Sequence, residues 1–309
     1  MKIRFHIPDF WKHWELDLNI IDLLRSEPQL FYDDVEIASC FGCFAPALWN
    51  GGRAIGGYTG RAQIDNTIRC FNERGVPLRF TFTNPTLTEE DLSDPFCNHI
   101  CKAAQNGLNE IICNDPMLEG YIRSTYPDYP LISSTCKGIR DIDGLVVELE
   151  KDYKYVVMDY NFNNNLDALA RIPEKLRSRI EVLINPYCMP NCQRREEHYR
   201  VLGECQRRSS SFSAATAAQL MKSATEFNCP NSGYDFYRIT EYPTFVKREY
   251  LERYMALGIN NFKIEGRTLS LANVLESYVY YMIRPEHRDT VRLRLLTAPP
   301  RAPISVCVT

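Results

Sequence analysis

The chain has 309 residues, 45% of them hydrophobic and 24% charged, with a formal net charge of -3. This is ordinary globular usage, and so small a net charge excludes a bulk electrostatic drive toward nucleic acid or a membrane surface. The apolar runs Gly144–Leu149 and Tyr155–Met158 are strand-sized, far short of the roughly 20 residues that a membrane span needs.

The first residues, Met1 to His6, read as a strand and carry no apolar leader region or small-residue cleavage site. A cytoplasmic location and no membrane partner are therefore expected. From there strands and helices alternate, the pattern of a parallel sheet. The reading places strands at Lys2–Ile7, Val35–Cys40, Leu78–Thr83, Glu110–Cys113, Leu131–Thr135, Tyr155–Asp159, Ile180–Asn185 and Asn261–Glu265. Helices are expected at Leu16–Leu24, at Arg61–Arg74 with Gly75 as its stop, and from the cap-like Thr88-Glu89-Glu90 to near Gly107. Residues 186 to 235 break the period with a basic helix, Gln193–Arg208, and a Ser/Ala-rich stretch from Ser209 to Ala218. Helices at Lys247–Leu257 and Leu269–Met282 complete the pattern. A Pro-rich tail follows from 297 to 309 and is expected to be disordered.

Eight strands without a glycine-rich phosphate loop after the first favour a closed α/β (β/α)8 TIM-like barrel over an open doubly wound sheet. The expected organisation is one domain, 1–296, with a cysteine-containing insertion (186–235) between strands 7 and 8.

A barrel carries its chemistry at the carboxyl ends of its strands. Those ends offer Cys40 and Cys43, Thr83 and Asn84, Asn114 and Asp115, Thr135, Asp159 and Asn161, Asn185 and Cys188, and Glu265 with Arg267. Asn, Asp and Thr there also suit helix capping. Twelve cysteines without a leader do not read as a disulfide framework. Cys70, Cys97, Cys101 and Cys113 lie on apolar faces and are expected to fill core. Cys188 and Cys192 differ: four residues apart in a Pro-containing loop, they can present two thiolates to one soft centre. With Cys229, and with Cys205 or Cys43 as the fourth ligand, they would suit a tetrahedral zinc or a 4Fe-4S cluster.

Lys263, Glu265 and Arg267 alternate, so period-2 geometry puts them on one side of strand 8. There they could hold an anionic or carboxylate substrate or, in the plainer reading, form an internal salt-bridge layer. On the first reading Arg267→Lys should abolish activity and leave the thermal midpoint nearly unchanged. Arg53 and Arg61, with Gly51-Gly52 and Gly56-Gly57, suggest a mobile loop with a basic edge, and His198 reads as lying on a solvated helix face. No Ser-His-Asp or Cys-His order and no His-Glu-x-x-His helix is present, which counts against a conventional peptidase.

The run from Asn185 through Cys188-Met189-Pro190-Asn191-Cys192 to Arg195-Glu196-Glu197-His198-Tyr199, a later cysteine, and Phe262-Lys263-Ile264-Glu265-Gly266-Arg267 together resemble the peptidase U32 family. Trp49-Asn50-Gly51-Gly52-Arg53 is similar to a segment in some members. The resemblance implies a barrel and a 4Fe-4S cluster held by four cysteines. It also implies either oxygen-independent, hydroxylation-like modification of a small molecule, peptide or RNA, or a peptidase. The cysteine spacing departs from the better-known branches, so neither the fourth ligand nor the substrate transfers. The expected site is then Glu265, Arg267, Lys263 and Asp159 for catalysis, Asn185 beside the cofactor, and the named cysteines for the metal. A non-catalytic, metal-stapled binding or maturation protein is the remaining alternative.

Overall fold

The computed structural model describes residues 1–209 and 235–299. Cys229, residues 210–218 of the Ser/Ala-rich stretch and residues 300–309 of the tail lie outside them. Eight strands pair in sequence order, all parallel: β1 Ile3–Pro8, β2 Val35–Gly42, β3 Leu78–Phe82, β4 Glu110–Cys113, β5 Leu131–Ser133, β6 Tyr155–Val157, β7 Ile180–Leu183 and β8 Asn261–Lys263. β8 closes the barrel on β1 through the pairs Arg4 with Asn261, Phe5 with Phe262 and His6 with Lys263.

Helices α1 Trp14–Ser26, α2 Arg61–Asn72, α3 Pro95–Ala104, α4 Pro116–Thr125 and α5 Ile142–Glu150 follow β1 to β5 in turn. Two short helices, α6 Leu166–Ala170 and α7 Glu174–Arg177, follow β6. Between β7 and β8 come α8 Arg195–Ser209, α9 Phe236–Ile239 and α10 Leu251–Ala256. The chain then adds α11 Leu271–Met282 and α12 Arg288–Thr297. Among the described residues no helix is long and apolar enough to cross a membrane.

Several strands stop one or two residues earlier than their apolar runs suggest, because polar side chains turn the chain out of the ladder. Ser134 accepts a bond from the Cys136 amide at 3.1 Å, and Asp159 accepts one from the Asn161 amide at 2.9 Å. The third helix also starts later than expected. Thr88 does cap, but only a short 3-10 turn, Glu89–Ser93. Pro95 disfavours helical backbone at Asp94, and Asp94 becomes the cap of α3 through the Cys97 amide at 2.7 Å.

Alternate strand residues face out into the main core, where Ile3, Phe5 and Ile7 of β1 join Leu16 and Ile20 of α1. Cys97, Cys101 and Cys113 are fully buried in that core and Cys70 packs at its edge, as the sequence suggested. The inward-facing residues stack in layers, as barrel interiors do. The lower layer is charged. Arg79 donates from Nε to Glu110 and from Nη1 to Glu181, both at 2.5 Å, and Lys154 also bonds Glu110. Beside them His6 shares a 2.8 Å contact with Ser39 Oγ. Burial, then Arg79, pushes the His6 ring well below its ordinary pKa, so it is neutral. The layer above is mainly apolar: Phe41, Thr81, Ile112, Val157 and Leu183, with Lys263 among them.

Candidate functional site

That upper layer is the floor of a small, half-open cavity at the carboxyl ends of the strands. Its walls come from the loop after β2 (Gly52, Arg53), the turn after β5 (Ser134, Thr135, Cys136), Tyr160, Cys188, Tyr199 of α8, and Glu265 to Arg267 after β8. α8 spans the mouth. Gly203 O accepts from Asn84 Nδ2 at 3.1 Å, Gln206 Oε1 accepts from the Ile55 amide at 2.9 Å, and Arg207 pairs with Asp91 at 2.8 Å. On the other side Arg195, 3% exposed, pairs with the buried Asp159 and lies 4.8 Å from the Tyr160 ring centre.

Lys263, the last residue of β8, and Glu265 and Arg267 beyond it all reach this cavity. Arg267 is recessed in its wall. Nη1 donates to Asn50 Oδ1 at 2.9 Å and to Thr81 Oγ1 at 2.8 Å, and Nη2 donates to Gly51 O at 2.9 Å. A guanidinium has five N–H donors, so two remain without an acceptor among the described residues, and no carboxylate there lies in ion-pair range. Burial, followed by Arg53, lowers its pKa from the ordinary value. Glu265 is occupied. It pairs with Arg53, and its other oxygen accepts from the Tyr187 amide at 2.9 Å. Lys263 is 8% exposed, and burial draws its ammonium down to about 8 despite Glu181 nearby.

The loop after β2 exists to approach this wall closely. At Gly51 a Cβ would stand 2.2 Å from Thr83 O, so only glycine fits. At Gly52, with φ +71, a Cβ would lie 3.2 Å from Arg267 Nη2 and 3.3 Å from Cys136 Sγ, filling the hollow over the guanidinium. The sequence suggested mobility here. The structure instead pins the loop: Asn50 is fully buried and donates to Arg53 O at 2.7 Å, the Asn84 amide donates to Trp49 O, and the Trp49 indole donates to Asp91 O. Arg61 is exposed at the start of α2, away from the cavity.

Two expected site residues sit one layer behind the wall. Asn185 is fully buried, and its amide is spent on the Glu265 backbone (2.6 and 3.0 Å) and Ser277 (3.2 Å), tying the loop after β7 to the end of β8. Asp159 anchors α8 through Arg195. Asn114 and Asp115 do not line the cavity, and Asp115 caps α4 through the amides of Met117 and Leu118. His198 is half-buried rather than solvated, and burial, then Arg53, lowers its pKa to about 4.

The thiols spread over several environments. Cys188 reaches the cavity wall, where burial raises its pKa to about 11 against the opposing pull of Arg53. Cys192 lies further along the same loop, half-buried. Cys205 packs with Leu202 and Ala54 under α8. Cys43 is in the hydrophobic core, close enough to Cys97 and Cys101 for their charges to feel it, and burial raises its pKa to about 12. Among the described residues no three His, Cys, Asp or Glu side chains group as a metal site, so the described thiols alone do not make the donor set of a 4Fe-4S cluster or a structural zinc. Cys136 is the thiol that the strand-end reading passed over, although it stands one residue beyond Thr135. Tyr199, also missed, is the residue of α8 turned toward both Cys136 and Cys188, and burial raises its hydroxyl well above the ordinary value.

No protein-family model matches the chain, and no curated protein matches it. Among solved structures it is similar to the U32 peptidase Mk0906, with a TM-score of 0.52 and 11% identity over 86% of this chain and 94% of that one. The two share a barrel. At that identity the likeness extends to the architecture alone.

Proposed function

We propose that the chain is an enzyme that binds a small anionic substrate, carrying a carboxylate, at the mouth of its barrel. The observation that carries this reading is Arg267: a recessed guanidinium in the cavity wall with two spare N–H donors and no carboxylate in ion-pair range among the described residues. A charge taken out of water is costly unless paired, and a planar fork matches a carboxylate. Arg53 adds a second guanidinium to the wall, with part of its charge spent on Glu265. Calorimetric titration with oxalate tests the reading. Binding that weakens about tenfold or more in Arg267→Gln supports it, since one lost charge-assisted bond is about 1.5–3 kcal/mol. Absence of oxalate binding by the folded protein refutes it.

An iron–sulfur centre belongs to the same proposal on the strength of the Cys188 and Cys192 pair past β7. Any third ligand would have to come from outside the described residues, where Cys229 lies. When bound, such a cluster would supply thiolate-held iron. Iron and sulfide analysis of anaerobically purified protein tests it. Modification of a small molecule, peptide or RNA is favoured over peptide hydrolysis, because no histidine is among the described residues that line the cavity to activate Cys136 or Cys188.

A further inference from the structure

Lys263 carries an inference that rests on the anion-binding reading and deepens it. Its side chain, on the last residue of β8, lies in the barrel floor beside Phe41, and the small part left open lines the cavity. An ammonium brings three N–H donors. Here Nζ is 3.5 Å from Glu181 Oε1 and 4.0 Å from the centre of the Phe41 ring, with no nearer acceptor among the described residues. The other oxygen of Glu181 is held by Arg79 at 2.5 Å.

The groups facing Lys263 are Glu181 from β7, Arg79 from β3, the neutral His6 from β1, and Arg267 beyond β8. Arg79 and Lys154 already balance Glu110 and Glu181. An ammonium at 263 would be a surplus charge in the interior, whereas an amine is not. Burial and the two arginines accordingly outweigh Glu181 and bring the group down to about 8. A desolvated amine next to other cations is the usual form of a nucleophilic lysine.

We propose that Lys263 condenses with the ketone carbon of a 2-oxo carboxylate whose carboxylate rests on the spare N–H donors of Arg267. Both residues line the same wall, and a 2-oxo acid carries its ketone directly beside its carboxylate. The Nζ lone pair forms the C–N bond while the C=O pair moves onto oxygen, which takes up a proton. The nitrogen then loses its remaining protons as the hydroxyl departs as water. The balance is amine plus ketone giving imine plus water, with no oxidant or reductant consumed.

The test is pyruvate with sodium cyanoborohydride, which reduces an imine in place to a stable carboxyethyl amine, followed by peptide mapping. The expected result at pH 7 is a carboxyethyl group on Lys263 formed about tenfold or more faster than on the solvent-exposed lysines, which lack the burial that favours the neutral amine. Its rate should rise about tenfold between pH 7 and 9, as the amine of a group near 8 loses its proton. Lys263→Met should remove this adduct, and if that variant fails to fold, the map of the wild-type protein decides. Oxalate binding with labelling of Lys263 no faster than of exposed lysines overturns the imine and leaves the anion site standing. Loss of both oxalate binding and Lys263 labelling overturns the two together.

Discussion

Replacing Arg267 with lysine separates what its charge does from what its shape does. The guanidinium holds Asn50, Thr81 and Gly51 with three bonds of 2.8 to 2.9 Å. An ammonium on a shorter stem cannot reach all three acceptors from one point, so one or two charge-assisted bonds are lost, at about 1.5–3 kcal/mol each. The expected destabilisation is about 2–5 kcal/mol. For a chain of this length the unfolding entropy converts that to a drop of about 3–8 °C in thermal midpoint. The binding reading of the sequence expected a nearly unchanged midpoint; a drop is expected instead because the loop after β2 hangs from Arg267. Calorimetry on the wild type and Arg267→Lys, with and without oxalate, is the assay. A lower midpoint together with weaker oxalate binding is expected. If the midpoint falls but oxalate binds as before, Arg267 is a strut and the anion site lies elsewhere; if neither changes, the reasoning from its geometry is wrong.

Other changes follow from the same contacts. Gly52→Ala puts a methyl into the hollow over Arg267 at a φ of +71; a cost of about 1–2 kcal/mol with weaker oxalate binding is expected, and unchanged affinity would show that the ligand does not use this hollow. Asp159→Ala leaves the Arg195 guanidinium buried without its partner, a loss of about 3–5 kcal/mol that denaturant melts should register, with protease cutting near α8 as the local readout. Lys263 has a folded-state pKa near 8, below its unfolded value. Between about pH 8 and 10.5 the unfolded chain therefore binds a proton that the folded one does not, and stability should rise with pH across that window relative to Lys263→Met, by an amount on the order of 3 kcal/mol in total. A flat difference would mean that Lys263 keeps its proton. Cys192→Ser, purified anaerobically, should lose the iron and sulfide found in the wild type; full retention removes Cys192 from the ligand set.

The barrel was legible because each strand is a short apolar run between turn residues, and eight such runs leave little choice of architecture. Period-2 spacing also put Lys263, Glu265 and Arg267 on one wall, although the ladder ends at Lys263 and the later two reach the cavity from the turn at Gly266. What sequence could not supply was which neutral partners meet them. Asn50 and Thr81 contact Arg267 across more than 180 residues of chain, a relation set only by closure of β8 on β1. Asn185 and Asp159 looked like site residues because they are polar and end strands. A buried amide or carboxylate at such a position serves equally well to tie two loops together, and the choice depends on partners remote in sequence. Tyr199 was hidden for the opposite reason: on a helix rich in charge, the single turned-in aromatic has no local signature.

The charged layer beneath the cavity, together with the lysine just above it, bears on how this chain can vary. Arg79, Glu181 and Lys263 come from β3, β7 and β8, yet the proton on one is decided by the other two. A change at Arg79 alone would release Glu181 to hold Lys263 as an ammonium and silence it as a nucleophile without touching the cavity wall. In a set of relatives these three positions should therefore substitute as a block, and a chain that keeps Lys263 while losing Arg79 should have kept the barrel and abandoned the chemistry.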